Sequence, residues 1–152
     1  MQLKDSSIAF LNSTGEGLFS FANNSLQEEF PYFIQLKHRN SVETWSNATS
    51  LSDLTFFIGH EASYDFRTVD SKAFGNNMIR VDQSPVRYAI FGGDVNQDGS
   101  VDATDLALID NDASNFVTGY VKTDLTGDDI TDASDAAIAD NNAFNFVSVI
   151  RP

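Results

Sequence analysis

Up to Phe91 the apolar residues come in short runs: SIAFLN at 7–12, GLFSFA at 17–22, PYFIQLKH at 31–38, LTFFIGH at 54–60, MIRVD at 78–82 and VRYAIFG at 86–92. The runs are rich in Phe, Ile, Val and Tyr, which suit a pleated, half-buried surface. Between them lie STGEG, NNSLQEE, HRNS, SNATS, SKAFGNN and DQSP, all of turn-forming composition. Nothing in this part keeps a helical period. The pattern predicts an antiparallel β-sandwich over residues 1–91.

Beyond Gly92 and Gly93 the pattern changes. ATDLALIDNDASNF at 103–116 and ASDAAIADNNAFNFV at 133–147 space their apolar residues as a helix does, and each follows an Asp-rich stretch. The two halves are copies at an offset of 30 residues. Asp94, Asp98, Asp102 and Asp105 recur as Asp124, Asp128, Asp132 and Asp135, and Asp110, Asn111, Phe116 and Val117 recur as Asp140, Asn141, Phe146 and Val147. So many matches at one offset mark a duplicated unit. Residues 92–152 are therefore expected to form a small α domain, and Phe116 and Phe146 to pack its core. The linker is little more than Gly92–Gly93, so the two modules should dock rather than swing.

Charge sharpens this division. The chain has 152 residues and a formal net charge of −13. Residues 1–93 hold ten acids against seven Lys and Arg, whereas residues 94–152 hold twelve Asp, no Glu, and only Lys122 and Arg151. Such a surface disfavours nucleic acid and anionic membrane as partners. Asp, the shorter carboxylate, is the one that tight loops and metal sites use. There is no cysteine, which excludes disulfides and thiolate metal sites. No apolar run is long enough to insert in a membrane. The opening MQLKDSSIAF lacks the basic start and apolar block of an export signal, and the chain is read as a fragment of a longer exported protein, extracellular or at the cell surface.

The Asp spacing has a specific chemistry. Calcium takes about six to eight oxygen ligands, and a loop of about twelve residues supplies them from positions 1, 3, 5, 7, 9 and 12, with Gly at 6 for the turn. In the first loop Asp94, Asn96 and Asp98 hold positions 1, 3 and 5. Gly99 is the turn, Ser100 offers its carbonyl, and Asp102 and Asp105 hold 9 and 12. Val101, at position 8, should face the partner loop. The second loop offers Asp124, Thr126, Asp128, the Ile130 carbonyl, Asp132 and Asp135. It departs in two places: Asp129 replaces the turn Gly, and Thr131 stands where an apolar residue is expected. Two calcium ions are expected, the second bound more weakly.

Asp at position 12 and the absence of a helix before the first loop set this apart from an ordinary EF-hand. The combination resembles the dockerin family, over residues 93–152. The resemblance implies calcium-dependent binding of a cohesin-like domain. The family's binding face, at loop positions 10 and 11 and helix positions 17 and 18, would be Ala103, Thr104, Asp110 and Asn111 in the first repeat and Ala133, Ser134, Asp140 and Asn141 in the second. The well-known cellulosomal pattern has Ser-Thr and Lys-Arg there, so a partner of divergent specificity is implied, and two near-identical faces would allow two binding orientations. LNSTGEGLFSF, FIQLKHRNSVETWSN and SKAFGNNMI look like the small β-sandwich that precedes dockerin-like tails in bacterial surface proteins, with no activity attached.

Other residues carry less. His38 and His60 read as polar strand-end residues, and no nucleophile-and-base arrangement accompanies them, so the chain is expected not to be an enzyme. Trp45 with Tyr32, Tyr64 and Tyr88 could form a sugar-stacking face, which leaves a carbohydrate-binding module, or polysaccharide contact through the parent protein, as an alternative. A further alternative keeps the calcium and drops the partner: the repeat would be a rigidifying clamp packed on its own β-sandwich.

Overall fold

A computed structural model describes residues 2–12, 14–21, 32–47 and 63–152. The chain is mixed α and β: the described residues form two small antiparallel sheets, two α-helices and three short 3-10 turns. Strands β1 (Gln35–Leu36) and β2 (Thr44–Trp45) pair, as do β3 (Ile79–Gln83) and β4 (Val86–Ala89). Helices α1 (Ala103–Ser114) and α2 (Ala133–Phe144) follow. β1 and β4 fall within expected strand segments, and β3 overlaps MIRVD but runs one residue past it, to Gln83. Among the described residues SIAFLN and GLFSFA form no ladder, and the expected strand LTFFIGH lies outside the described residues, as does His60.

The chain divides into two compact units. One comprises Met1–Tyr32 and Ala48–Tyr64. Its described part contains a turn at residues 14–16, where Asn12 Oδ1 accepts from the amides of Thr14 and Glu16, each at 2.9 Å. The other comprises Phe33–Asn47 and Asp65–Pro152, and so runs across Gly92–Gly93.

That larger unit has one core. Val42, from the segment between β1 and β2, is buried with Val95, Val101, Ile109, Ala139 and Val147. The strand-bearing segments therefore share apolar burial with the helical repeat. Hydrogen bonds fix the join: the Val42 amide donates to the Phe91 carbonyl at 2.8 Å, and the Gly93 amide to the Asn40 carbonyl at 2.7 Å. Gly93 has φ of 114°, and a Cβ there would lie 2.9 Å from Val101 and 3.3 Å from the Ala139 backbone, so the join needs glycine.

The helices start where the sequence says they should. Asp102 and Asp132 are N-caps, and Asp105 and Asp135 close capping boxes back onto them. Each repeat then crosses over to the other. The Val101 amide donates to Val147 after α2, and the Thr131 amide to Val117 after α1, at 2.9 and 3.0 Å. Val149 reaches back to Gly99 and Gly119 to Asp129, at 2.7 and 2.8 Å. These four bonds map onto one another under the 30-residue offset, so the duplicated halves are interlocked by exchange. Val101 is buried as expected of an apolar position, but its backbone partner is the segment after α2.

One expectation is overturned. Phe116 and Phe146 do not pack the core; they are 86% and 89% exposed. Each sits just past its helix with φ of 54°. Phe116 and Val117 donate to the carbonyls of Ala113 and Asp112, and Phe146 and Val147 do the same to Ala143 and Asn142. This is the helix-ending motif that usually places glycine in the left-handed position. The side chain at that position is aimed outward; the following Val147 turns into the core, and Val117 is half-buried.

Candidate functional site

The two Asp-rich loops share one framework. Asp105 Oδ1 accepts from the Val95 and Asn96 amides at 2.9 and 3.1 Å, and its Oδ2 from the Asp102 amide at 3.1 Å. Asp135 repeats this with Leu125, Thr126 and Asp132 at 2.7, 2.8 and 2.9 Å. Three N–H donors occupy three of roughly four acceptor directions on each carboxylate. These two groups, both fully buried, set the loop shape and keep one oxygen direction open. Asp102 and Asp132 accept from the hydroxyl and amide of Thr104 and Ser134, which hold both carboxyls below their ordinary pKa.

In both loops positions 4 and 6 take the left-handed conformation: Gln97 and Gly99 in the first, Gly127 and Asp129 in the second. Asp129 adopts at φ 68° what Gly99 adopts at φ 97°, as an Asp can. Thr131 is buried, and its hydroxyl lies 3.2 Å from that of Thr123, which donates to Asp112 Oδ2 at 2.6 Å. The polar residue at position 8 is thus satisfied internally.

The loops differ at position 1. Asp94 is 2% exposed. Its Oδ2 accepts from the Gly99 amide at 3.1 Å, but Oδ1 completes no hydrogen bond, the single such buried side-chain atom among the described residues. Burial raises the pKa of Asp94; the Gly99 amide opposes that, the charges of Asp105 and Asp98 add to it, and the Gln97 amide weakly opposes it. Asp98 and Asn96 stand beside it. The Ser100 amide donates to Asp98 Oδ1 at 3.0 Å, and Asn96 Nδ2 donates to Asp98 Oδ2 at 2.9 Å.

Asp124, 1% exposed, is fully partnered. Its Oδ1 accepts from the Gly127 amide at 2.7 Å and the Thr126 hydroxyl at 3.4 Å, and its Oδ2 from the Asp129 amide at 3.2 Å. Arg39 adds a positive charge, with its guanidinium 3.9 Å from Asp124 Oδ2. That group also donates to the Val121 carbonyl at 3.0 Å and the Asp124 carbonyl at 3.3 Å, and lies 3.8 Å above the Tyr120 ring. Asn40 bridges the loop starts: its carbonyl accepts from Gly93 and its side chain donates to the Asp124 carbonyl at 2.8 Å.

Among the described residues no three His, Cys, Asp or Glu side chains are drawn together as a finished metal cage; each carboxylate faces its nearest N–H. The first loop nonetheless fits a hard dication. It has an all-oxygen donor set and a buried carboxylate oxygen without a partner, and such an atom is costly to leave so. The second loop fits less well, because both oxygens of Asp124 are occupied and a cation stands beside it.

The eight residues of the expected partner face, Ala103, Thr104, Asp110, Asn111, Ala133, Ser134, Asp140 and Asn141, are all exposed. Asp110 and Asp140 rim a shallow depression between the helices floored by Leu106, Ala133, Ala136 and Ala137. Trp45 is half-buried, with its Nε1 donating to Glu43 at 2.6 Å. Sequence reasoning missed Arg39, Asn40, Thr123 and Gly127. Only Gly127 carried a signal, as a glycine displaced from position 6 to position 4. Compared with known proteins, the chain matches no family model, no curated protein and no solved structure.

Proposed function

We propose that residues 92–152 are a dockerin-like, EF-hand-like calcium module that binds a protein partner without catalysis, behind a β-sandwich module spanning residues 1–91. One observation carries the calcium half: the buried, unpartnered Oδ1 of Asp94 beside Asp98 and Asp105. Asp94, Asn96, Asp98, the Ser100 carbonyl, Asp102 and Asp105 would hold the ion. The second set, Asp124, Thr126, Asp128, the Ile130 carbonyl, Asp132 and Asp135, would hold another more weakly. When bound, calcium supplies two positive charges where the chain leaves carboxylates uncompensated.

The partner is a cohesin-like protein domain. Support comes from the exposure of all eight face residues and the 30-residue equivalence of the two faces. The acidic rim at Asp110 and Asp140 calls for a partner offering Lys, Arg or other donors. Attachment of a larger exported protein to a scaffold or cell surface is the role this implies, and no helix among the described residues is long and apolar enough to cross a membrane. The test is binding of immobilised cohesin domains to the chain with calcium and with chelator. Calcium-dependent binding lost on combining Asp110→Arg with Asp140→Arg supports the proposal. No binding across cohesins of varied specificity removes the partner half.

The wedge of residues 39–42 between the two loops favours a second reading, a calcium-rigidified clamp on the chain's own β-rich segments. Calcium that raises the melting temperature with no cohesin bound is its signature.

A further inference from the structure

The two loops have the same framework, yet only one leaves its first carboxylate open. Resting on the calcium reading above, we propose that Arg39 is a resident counter-cation of the second loop, and that its charge is what keeps calcium from binding tightly there. The alternative cause, the loop's own departures at Asp129 and Thr131, is weakened by the geometry. Asp129 takes up the left-handed conformation, its amide bonds Asp124 Oδ2 as the Gly99 amide bonds Asp94 Oδ2, and the Thr131 hydroxyl is partnered by Thr123. The Asp135 bonds match those of Asp105 donor for donor.

Gly127 and Thr126 satisfy Asp124 Oδ1 from within the loop, but the difference in charge comes from outside the repeat. Val121 and Asp124 correspond to Phe91 and Asp94 at the 30-residue offset. The Phe91 carbonyl accepts from the Val42 amide, and the Asp94 carbonyl from the Gln97 side chain at 2.6 Å, both neutral donors. The Val121 carbonyl accepts instead from the Arg39 guanidinium, and the Asp124 carbonyl from that guanidinium as well as from the neutral Asn40 amide; the guanidinium also faces the Asp124 carboxylate, and the Arg39 side chain is only 19% exposed. A half-desolvated positive charge acts there in two ways of the same sign. It offsets carboxylate repulsion, so the loop closes without an ion, and it repels an arriving dication. Calcium affinity follows the net ligand charge of a loop, and Arg39 lowers that charge at one loop only. Tyr120, beneath the guanidinium, holds it in place.

The test is calorimetric calcium titration of the full chain as wild type, Arg39→Gln and Arg39→Lys. Gln keeps a donor for the carbonyls and removes the charge; Lys keeps the charge. The expected result is a second binding event tightened by about tenfold or more in Arg39→Gln, with the first event unaltered, and a second event still weak in Arg39→Lys. A second event unaltered in Arg39→Gln while the first persists overturns the proposal and leaves the calcium reading standing. No event in any of the three proteins overturns both. Should Arg39→Gln be unfolded without calcium, far-UV circular dichroism during titration decides: folding with two ions bound supports the proposal, and folding with one overturns it.

Discussion

The first and second loops are two copies of one sequence device, and their contrast lies in a single atom. Asp94 Oδ1 completes no hydrogen bond, although the Gln97 amide acts on that carboxylate, whereas Asp124 Oδ1 has the Gly127 amide at 2.7 Å and the Thr126 hydroxyl, and its neighbour oxygen has Arg39 nearby. Duplication produces equal frameworks. Gly127 and Thr126 inside the second loop, and Arg39 from the segment 39–42 packed against it, make them unequal. A repeat read alone therefore says which atoms are available, and the segment packed on it decides which are used.

The sharpest way to break the contrast is to exchange the charge at position 1. Asp94→Asn is expected to abolish the tight calcium event while raising the stability of the calcium-free protein by about 1–3 kcal/mol, since an uncompensated buried charge is removed. Asp124→Asn should do the opposite in calcium-free protein and destabilise it by about 1–3 kcal/mol, because Oδ2 meets the Asp129 amide as an acceptor. Thermal melts with chelator measure both signs. Equal effects at the two sites would end the distinction.

A second prediction concerns Glu43, just beyond the wedge. Glu43 accepts from Trp45 at 2.6 Å and from Arg151 at 2.9 Å, and pairs with Lys37 at 3.0 Å. Burial works to raise its pKa, but these donors outweigh burial and hold it at about 2. A depressed acid stabilises the fold above its unfolded value of 4.5, and the contribution is lost as pH falls from there toward about 2. Glu43→Gln should cost about 1–3 kcal/mol at pH 7 and progressively less toward pH 3. A difference in melting temperature that stays constant from pH 7 to 3 would refute the assignment.

The smallest expected effect is at the helix ends. Phe116 and Phe146 hold the left-handed conformation that glycine takes freely, a strain of about 1 kcal/mol each. Phe116→Gly should raise stability by up to about 1 kcal/mol, read from denaturant midpoints. A loss of stability would mean the exposed ring contributes packing after all.

How much of this was legible follows from the range of each interaction. The helix starts were readable because N-cap and N3 carboxylates, Asp102 with Asp105 and Asp132 with Asp135, lie three residues apart. The 30-residue offset announced the duplication, which the matching Asp105 and Asp135 hydrogen bonds repeat. The Phe positions misled because an apolar residue repeated in register looks like core, whereas the backbone hands the more buried place to the following Val117 and Val147. Arg39 was invisible: its partners Val121 and Asp124 lie 82 and 85 residues away, and a lone Arg in HRNS has no local pattern to single it out. The strands were only partly readable because β1 and β2 are two residues each, too short for alternation to show.

The most direct measurement is a calcium titration of chelator-treated wild-type protein and Asp94→Asn by calorimetry. The expected result is one tight event and one weaker event in wild type, with the tight event absent from Asp94→Asn. A tight event that survives Asp94→Asn, or no event in wild type, would contradict the assignment of the first loop as the calcium site.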